Sequence, residues 1–149
     1  ARSLVLYTCD RASTALPGCT GARRLAAVMP LAAWWAGSPP PPGDPWAPLR
    51  GRPVRAVAGL AKPEAFFRML EAERLQIVRQ ALPDHADFTP LPWPADTPDV
   101  VLTEKDAVKL RTDAVGRTRV WVATLDFQPE PAFDAALRAL CAPLKKRTP

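Results

Sequence analysis

Four charged side chains fall within the stretch LTEKDAVKL, residues 102–110, directly after an apolar run. Lys105 and Lys109 are four residues apart and would therefore share one face of a helix. Two ammonium groups beside the start of a helix can bind an anion such as phosphate, because the free backbone N–H groups there also attract negative charge. One interpretation is that Lys105, Lys109 and the adjacent Glu104 contact a substrate or a phosphate group.

The same stretch has a second, purely structural interpretation. Thr103, followed three residues later by Asp106, approximates a capping box, in which the hydroxyl and the carboxylate satisfy free backbone N–H groups. Acidic residues in a first helical turn also suit the helix dipole. Capping accounts for Thr103 and Asp106 but not for the lysines, so an anion site and a capped, solvated helix both remain open.

The second candidate is the stretch LPDHADF, residues 82–88, which holds the single histidine of the chain, His85. An imidazole is the side chain best suited to proton transfer near neutral pH. Asp84 and Asp87 could hold its tautomer, and His85 is a candidate catalytic residue. The alternative is a surface-loop histidine without a function.

Apolar periodicity predicts the elements that position these stretches. Residues 54–61 are predicted as a strand, 62–72 as a helix with Pro63 at its first position, and 75–82 as a second strand. This succession indicates a right-handed βαβ unit with parallel strands. The histidine stretch would then open the proline-rich loop over 83–98.

The alternation continues with a strand over 99–103 that fits burial on both faces, a helix over 104–112, a strand over 119–125 and a helix over 131–140. It indicates an α/β fold with a small, mostly parallel sheet flanked by helices. Since the carboxyl ends of parallel strands share one edge, both charged stretches are expected at that edge. The inner face of the last helix is predicted to hold Phe133, Ala136, Leu137 and Leu140.

The first part of the chain is less regular. Residues 3–7 are predicted as a short strand and 38–45, SPPPPGDP, as an extended linker. The apolar stretch 22–37, interrupted by Pro30, is predicted as a buried helix and turn. The alternative is a helix in a membrane interface, because paired arginines and paired tryptophans suit that zone.

Composition limits the class of protein. A hydrophobic fraction of 48% argues against disorder. The three cysteines lie far apart, so neither a disulfide nor a metal site is predicted. The first sixty residues hold seven arginines and two aspartates, a basic segment that could face phosphates, nucleic acid or an anionic membrane, or could simply aid solubility.

We divide the chain into a connecting segment over 1–50 and a C-terminal α/β domain over 51–149, and expect it to be a fragment of a longer polypeptide.

The stretches AVAGLAKPEAFF (56–67), LPDHADF and VVLTEKDAVKL follow one another in an order and spacing that resembles the C-terminal part of tetraacyldisaccharide 4'-kinase, the lipid A 4'-kinase family of Gram-negative bacteria. STALPG (13–18) and MPLAAWWAG (29–37) are similar to that family as well. The resemblance covers nearly the whole chain.

This resemblance implies an ATP- and Mg²⁺-dependent kinase that phosphorylates the 4'-hydroxyl of a tetraacyldisaccharide 1-phosphate, a lipid A precursor. It implies peripheral attachment to the cytoplasmic face of the inner membrane, an N-terminal P-loop domain as partner, and no nucleic acid. His85, with Asp84 beside it, matches a family histidine thought to pair with an aspartate of that domain, and on this resemblance we predict His85 and Asp84 as catalytic residues. The residues that match the family's TEKD motif are Thr103, Glu104, Lys105, Asp106 and Lys109.

The chain departs from the family pattern in two respects. The phosphate-binding pattern G-x(4)-G-K-[ST] is absent from the 149 residues, so we expect this chain alone to bind neither ATP nor Mg²⁺ and to be inactive. Ala61 and Arg74 stand where the family often has glycine, and a left-handed backbone at Arg74 would cost about 1–2 kcal/mol. The alternative function is a non-catalytic basic α/β module that binds anionic partners.

Overall fold

The computed structural model describes residues 3–9 and 11–142. The chain divides into two compact units: Leu25–Leu125 forms the larger, and Ala1–Arg24 with Asp126–Pro149 forms the smaller. The boundary predicted between residues 50 and 51 stays a prediction. None of the described helices combines the length and the apolar character that crossing a membrane requires.

The α/β fold class predicted from the sequence is confirmed. The described strands are β1 (Leu6–Tyr7), β2 (Cys19–Pro30), β3 (Pro53–Ala58), β4 (Gln76–Ala81), β5 (Asp99–Thr103) and β6 (Arg119–Pro129). The described helices are α1 (Leu31–Trp35), α2 (Pro63–Ala72), α3 (Glu104–Ala107) and α4 (Pro131–Cys141), and a 3₁₀ turn covers Ala47–Leu49.

In the larger unit the strands lie in the order β2-β6-β5-β3-β4. β3 pairs in parallel with β4 on one side and β5 on the other, and β5 pairs in parallel with β6. The predicted βαβ unit of β3, α2 and β4 is therefore confirmed. Because these strands are parallel, their carboxyl ends share one edge, and the loops after β4 and β5 begin there.

Apolar side chains cover both faces of this sheet, which is why β5 is almost wholly buried. On one face α2 contributes Phe66, Phe67 and Leu70, whose spacing follows the helical period. Phe88 and Trp93, from the loop after β4, belong to the core cluster on the other face. The loop that carries His85 is thus anchored in the core only a few residues further along the chain.

Helix α2 begins at Pro63, as predicted, and its end is strained. Arg74 adopts a φ of 63°, and its N–H donates to Glu71 O at 2.9 Å. This is the left-handed position at which helices usually place glycine. An arginine there costs about 1–2 kcal/mol, because its Cβ approaches the backbone.

Two predicted helices are wrong in type or length. Residues 22–30 belong to strand β2 rather than to a helix, and only Leu31–Trp35 is helical after Pro30. Pairing within the sheet overrides the helix propensity of an alanine-rich stretch. The helix expected over 104–112 is α3, four residues long, which continues as turns with bonds from Lys109 N–H to Asp106 O and from Leu110 N–H to Ala107 O.

The smaller unit contains β1, which pairs in parallel with the start of β2, as Leu6↔Cys19 and Tyr7↔Thr20. Glu130 donates its N–H to Thr20 O at 2.9 Å and accepts from the Thr20 hydroxyl at 2.6 Å. The predicted burial of one face of α4 is wrong. No residue of this helix is buried, and Leu137 and Leu140 are 40% and 37% exposed, because the described elements cover that face only in part.

Candidate active site

The loop after β4 makes a tight turn that presents His85. Leu82 N–H donates to Ala58 O, so the loop leaves the end of β4 still held to β3. Ala86 N–H then donates to Pro83 O at 3.0 Å, which closes a turn around Asp84 and His85. His85 has a φ of 61° and its side chain is 81% exposed. A left-handed backbone is rare for residues other than glycine, and it turns this imidazole toward solvent.

The two aspartates of the loop act differently. Asp84 Oδ1 accepts the His85 N–H at 3.1 Å, and Asp84 Oδ2 lies 3.7 Å from His85 Nε2. Asp87 instead accepts the N–H groups of Phe88 and Thr89, at 2.7 and 3.3 Å, an arrangement that shapes its own turn. Asp84 is therefore the carboxylate beside the imidazole, at a separation longer than a hydrogen bond.

Thr103 is the N-cap of helix α3, and its hydroxyl accepts the Asp106 N–H at 3.2 Å. The Asp106 carboxylate differs from the capping box, because it does not return to the Thr103 N–H. Asp106 Oδ2 accepts the Thr103 hydroxyl at 3.0 Å and the Gly59 N–H at 2.9 Å. Fully buried, it joins the start of α3 to the end of β3.

The two charged stretches meet at the carboxyl edge of the sheet. Lys105 Nζ donates to Asp84 Oδ1 at 2.6 Å, and Lys109 Nζ donates to Ala86 O at 3.0 Å. One lysine thus holds the carboxylate beside His85, and the other holds the backbone immediately after it. His85, Asp84, Lys105 and Lys109 form one cluster.

The two lysines differ in how accessible they are. Lys105 is 43% exposed, so its ammonium can also contact an anion from solvent. Lys109 is 24% exposed and points inward, donating to Ala86 O and, at 3.2 Å, to Asp106 Oδ1, with its ammonium 5.2 Å from the centre of the Phe88 ring. Two of its three N–H donors are thus used within the protein, so a phosphate contact by Lys109 stays a prediction.

Glu104, predicted as a substrate contact, has both carboxylate oxygens hydrogen-bonded within the protein. Its Oε1 accepts the Trp34 indole N–H at 3.0 Å, and its Oε2 accepts the Leu125 N–H at 3.1 Å. Both oxygens therefore connect α3 to α1 and to β6. A carboxylate that also repels phosphate fits this structural role better than substrate contact.

Electrostatics keep Asp84 ionised. The hydrogen bond from Lys105 has the largest effect on the pKa of Asp84 and lowers it, and desolvation, the next largest effect, opposes it. Coulombic interaction with the His85 and Lys105 side chains and the hydrogen bond from the His85 N–H lower this pKa further. An ionised carboxylate accepts hydrogen bonds only. It can therefore hold an imidazole N–H but cannot donate a proton itself.

Ligands for a metal–nucleotide complex do not assemble in this cluster. Within residues 3–9 and 11–142, no three His, Cys, Asp or Glu side chains are grouped so as to hold a metal ion. The sequence also lacks a Walker A loop. The residues present do not fit Mg²⁺–ATP as a complete site, although Lys105 can contact a phosphate group.

The fold is similar to that of a structure already solved. The crystal structure of the "apo" form of LpxK from Aquifex aeolicus in complex with ATP aligns with 89% of this chain and 38% of its own, with a TM-score of 0.59. The two sequences are 19% identical, so this likeness concerns the fold alone.

Sequence comparison then defines the family. Residues 24–142 match the family model described as LpxK, tetraacyldisaccharide-1-P 4'-kinase. The tetraacyldisaccharide 4'-kinase of Methylibium petroleiphilum is 57% identical over 149 residues, which cover 97% of this chain and 41% of the relative. That of Leptothrix cholodnii is 47% identical, covering 95% and 42%. The chain belongs to the tetraacyldisaccharide 4'-kinase family, and it spans about two fifths of the length of these relatives.

Proposed function

We propose that the chain is the C-terminal part of an ATP-dependent kinase that phosphorylates the 4'-hydroxyl of tetraacyldisaccharide 1-phosphate in lipid A synthesis. The observation that carries this proposal is the cluster of His85, Asp84 and Lys105 at the carboxyl edge of a parallel sheet, in a chain of this kinase family. Ligands of α/β proteins commonly bind at that edge.

In this proposal His85 handles the proton of the acceptor hydroxyl. As the hydroxyl oxygen bonds to the γ-phosphorus of ATP and the bond to the leaving ADP oxygen breaks, the hydroxyl proton passes to a base. His85 either accepts that proton or orients the base that does, with Asp84 holding the imidazole. Lys105 lies beside Asp84 and offsets negative charge on a phosphate group of the acceptor or of ATP.

The remaining parts of the site belong to the part of the relatives that this chain does not span. The proposal places the Walker A loop, the magnesium ligands and a partner aspartate for His85 there, so the chain alone should be inactive. The substrate is a lipid, and we further propose that the kinase works as a peripheral protein at the cytoplasmic face of the inner membrane. The exposed side chain of Trp35 would suit such a surface.

The test is a chimera in which the matched 41% of the Methylibium petroleiphilum relative is replaced by residues 1–149 of this chain. We expect the chimera to transfer the γ-phosphoryl group of radiolabelled ATP to tetraacyldisaccharide 1-phosphate, and the chain alone to show no transfer. A folded chimera without activity, beside an active unmodified relative, would contradict the proposal.

A non-catalytic basic module that binds anionic partners has less support from the structure. Three of the arginines that make the first sixty residues basic are engaged within the protein. Arg50 pairs with Asp44, Arg52 lies 3.3 Å from Asp99, and Arg55 donates to Gln80.

A further inference from the structure

We propose that Asp106 and Lys109 are positioning residues, an ion pair between a buried carboxylate and a partly buried ammonium that holds the loop 83–88 in the shape that presents His85. This inference rests on the proposed kinase function and assigns the pair a task other than helix capping or phosphate contact. From here on the pair is called the clamp.

The clamp begins with the buried carboxylate of Asp106. It accepts from the Gly59 N–H at 2.9 Å, although 47 residues separate the two in the chain, and so is fixed to the end of β3. Space here is limited, since a Cβ added at Gly59 would lie 2.9 Å from Asp106 Oδ1 and 3.6 Å from Pro83 O. Gly59 therefore lets the strand end, the carboxylate and the start of the loop approach one another closely.

Lys109 carries the connection from Asp106 to the loop. Its ammonium donates to Asp106 Oδ1 at 3.2 Å and to Ala86 O at 3.0 Å, and it lies above the ring of Phe88. Phe88 is itself 3% exposed and packed in the core. The lysine thus fixes both the backbone just after His85 and the side chain that anchors the loop.

The loop needs such a clamp because the conformation of His85 is unfavourable. A φ of 61° is disfavoured for an L-residue, so the turn would relax if its surroundings did not hold it. The other ion pair on the loop, Asp84 with Lys105, is largely open to solvent, and exposed pairs hold geometry weakly. The Asp106 carboxylate is fully buried, so removing its partner Lys109 would leave a buried charge uncompensated.

The test is a double-mutant cycle in the chimera, with Lys109→Met, His85→Ala and the double variant. Lys109→Met keeps the aliphatic stem and removes the ammonium. If the lysine acts through His85, kcat should fall roughly ten- to a hundredfold with KM unchanged for both substrates, as expected for misplacement of a reacting group. In the His85→Ala background the same change should lower kcat by less than about twofold, because contributions of coupled residues are not additive.

Two kinetic outcomes would overturn the inference. An equal fold-decrease of kcat in both backgrounds would show a general structural effect, and a raised KM with unchanged kcat would show a substrate contact. Lys109→Arg, which retains a cation, should restore part of kcat. Arg68→Met, an exposed position on α2, is the matched control and should leave kcat unchanged.

Hydrogen exchange of the chimera gives a measurement independent of activity. Lys109→Met should speed exchange in the peptide containing residues 83–88 and leave the α2 peptide unchanged, whereas equal protection in both proteins would overturn the clamp. An inactive chimera in which Lys109→Met still loosens the loop would contradict the kinase proposal alone. If Lys109→Met does not fold, Gly59→Ala, which crowds the Asp106 carboxylate, replaces it in the same cycle.

Discussion

The Lys105 ammonium lies 2.6 Å from the Asp84 carboxylate, joining a helix that follows β5 to a loop that follows β4. This contact brings two stretches, separated by about twenty residues in the sequence, to the same edge of the sheet. It also fixes the charge of the carboxylate next to His85. The arrangement gives the imidazole an ionised neighbour without burying either group.

The Asp84–Lys105 contact predicts a pH dependence. The pKa of Asp84 is lowered in the folded protein, mainly by the Lys105 hydrogen bond. The contact therefore adds stability above the unfolded-state pKa of the carboxyl, and this contribution is lost as the pH falls through the lowered folded-state pKa.

In Lys105→Gln the pKa of Asp84 should rise toward its ordinary value. Carboxyl ¹³C shifts followed by NMR across an acid titration measure this directly. Asp113, whose pKa is lowered by Arg111 instead, is the internal control and should not change. An Asp84 titration that is the same with and without Lys105 would rule out the contact in solution.

Loss of the Asp106 carboxylate should be strongly destabilising. Asp106→Ala leaves the Gly59 N–H without its acceptor and the Lys109 ammonium without its counter-ion, and an unsatisfied buried group typically costs about 1–3 kcal/mol, more where a charge is involved. Denaturant unfolding of the chimera would measure it. Asp96→Ala, an exposed position in the same unit, should change the free energy of unfolding by less than about 0.5 kcal/mol. Equal effects of the two variants would contradict the buried network.

Substitution of Glu104 can distinguish a structural role of this residue from contact with the substrate. Glu104→Gln keeps one acceptor oxygen and so can serve only one of Trp34 and Leu125, which should lower the free energy of unfolding by about 1–2 kcal/mol. The KM values for ATP and for the disaccharide should not change. Glu64→Gln, which removes an exposed charge that pairs with Arg79, is the control and should leave both KM values unchanged. A raised KM with unchanged stability would restore Glu104 as a substrate contact.

Relieving the strain at Arg74 should stabilise the fold. Arg74→Gly removes about 1–2 kcal/mol of strain and adds about 0.4–1 kcal/mol of backbone entropy to the unfolded chain, for a net gain of roughly 0.5–1 kcal/mol. Arg68→Gly, inside α2 where φ is helical, should instead lose about 1 kcal/mol. Thermal unfolding of both variants checks the opposite signs. Destabilisation by Arg74→Gly would contradict the left-handed conformation.

The regular half of the fold could be predicted from the sequence because local signals there agree with one another. Pro63 marks the start of α2, the apolar spacing of Phe66 and Leu70 marks its buried face, and the run Val100-Val101-Leu102 marks a strand buried on both sides. The prediction from local sequence was wrong over 22–30, where the alanine-rich composition favours a helix but the chain forms β2. Pairing with a distant strand decided that element, and nothing local reports it.

The same limit applies to the cluster. The sequence identified His85 and the lysines and indicated a common edge, because parallel strands end together. It could not show which lysine faces inward, since that depends on Asp106, whose partner Gly59 lies at the end of another strand. Nor could it show that both oxygens of Glu104 are used by Trp34 and Leu125. The partners of such long-range hydrogen bonds are not separated by any regular number of residues, so the sequence gives no pattern from which to predict them.

The most direct test of the central claim is the kcat of the chimera with and without His85. If His85 handles the proton of the acceptor hydroxyl, His85→Ala should lower kcat by about a hundredfold or more, while Arg68→Ala leaves it unchanged. An undiminished kcat in a folded His85→Ala chimera would contradict the claim that this loop is part of the active site.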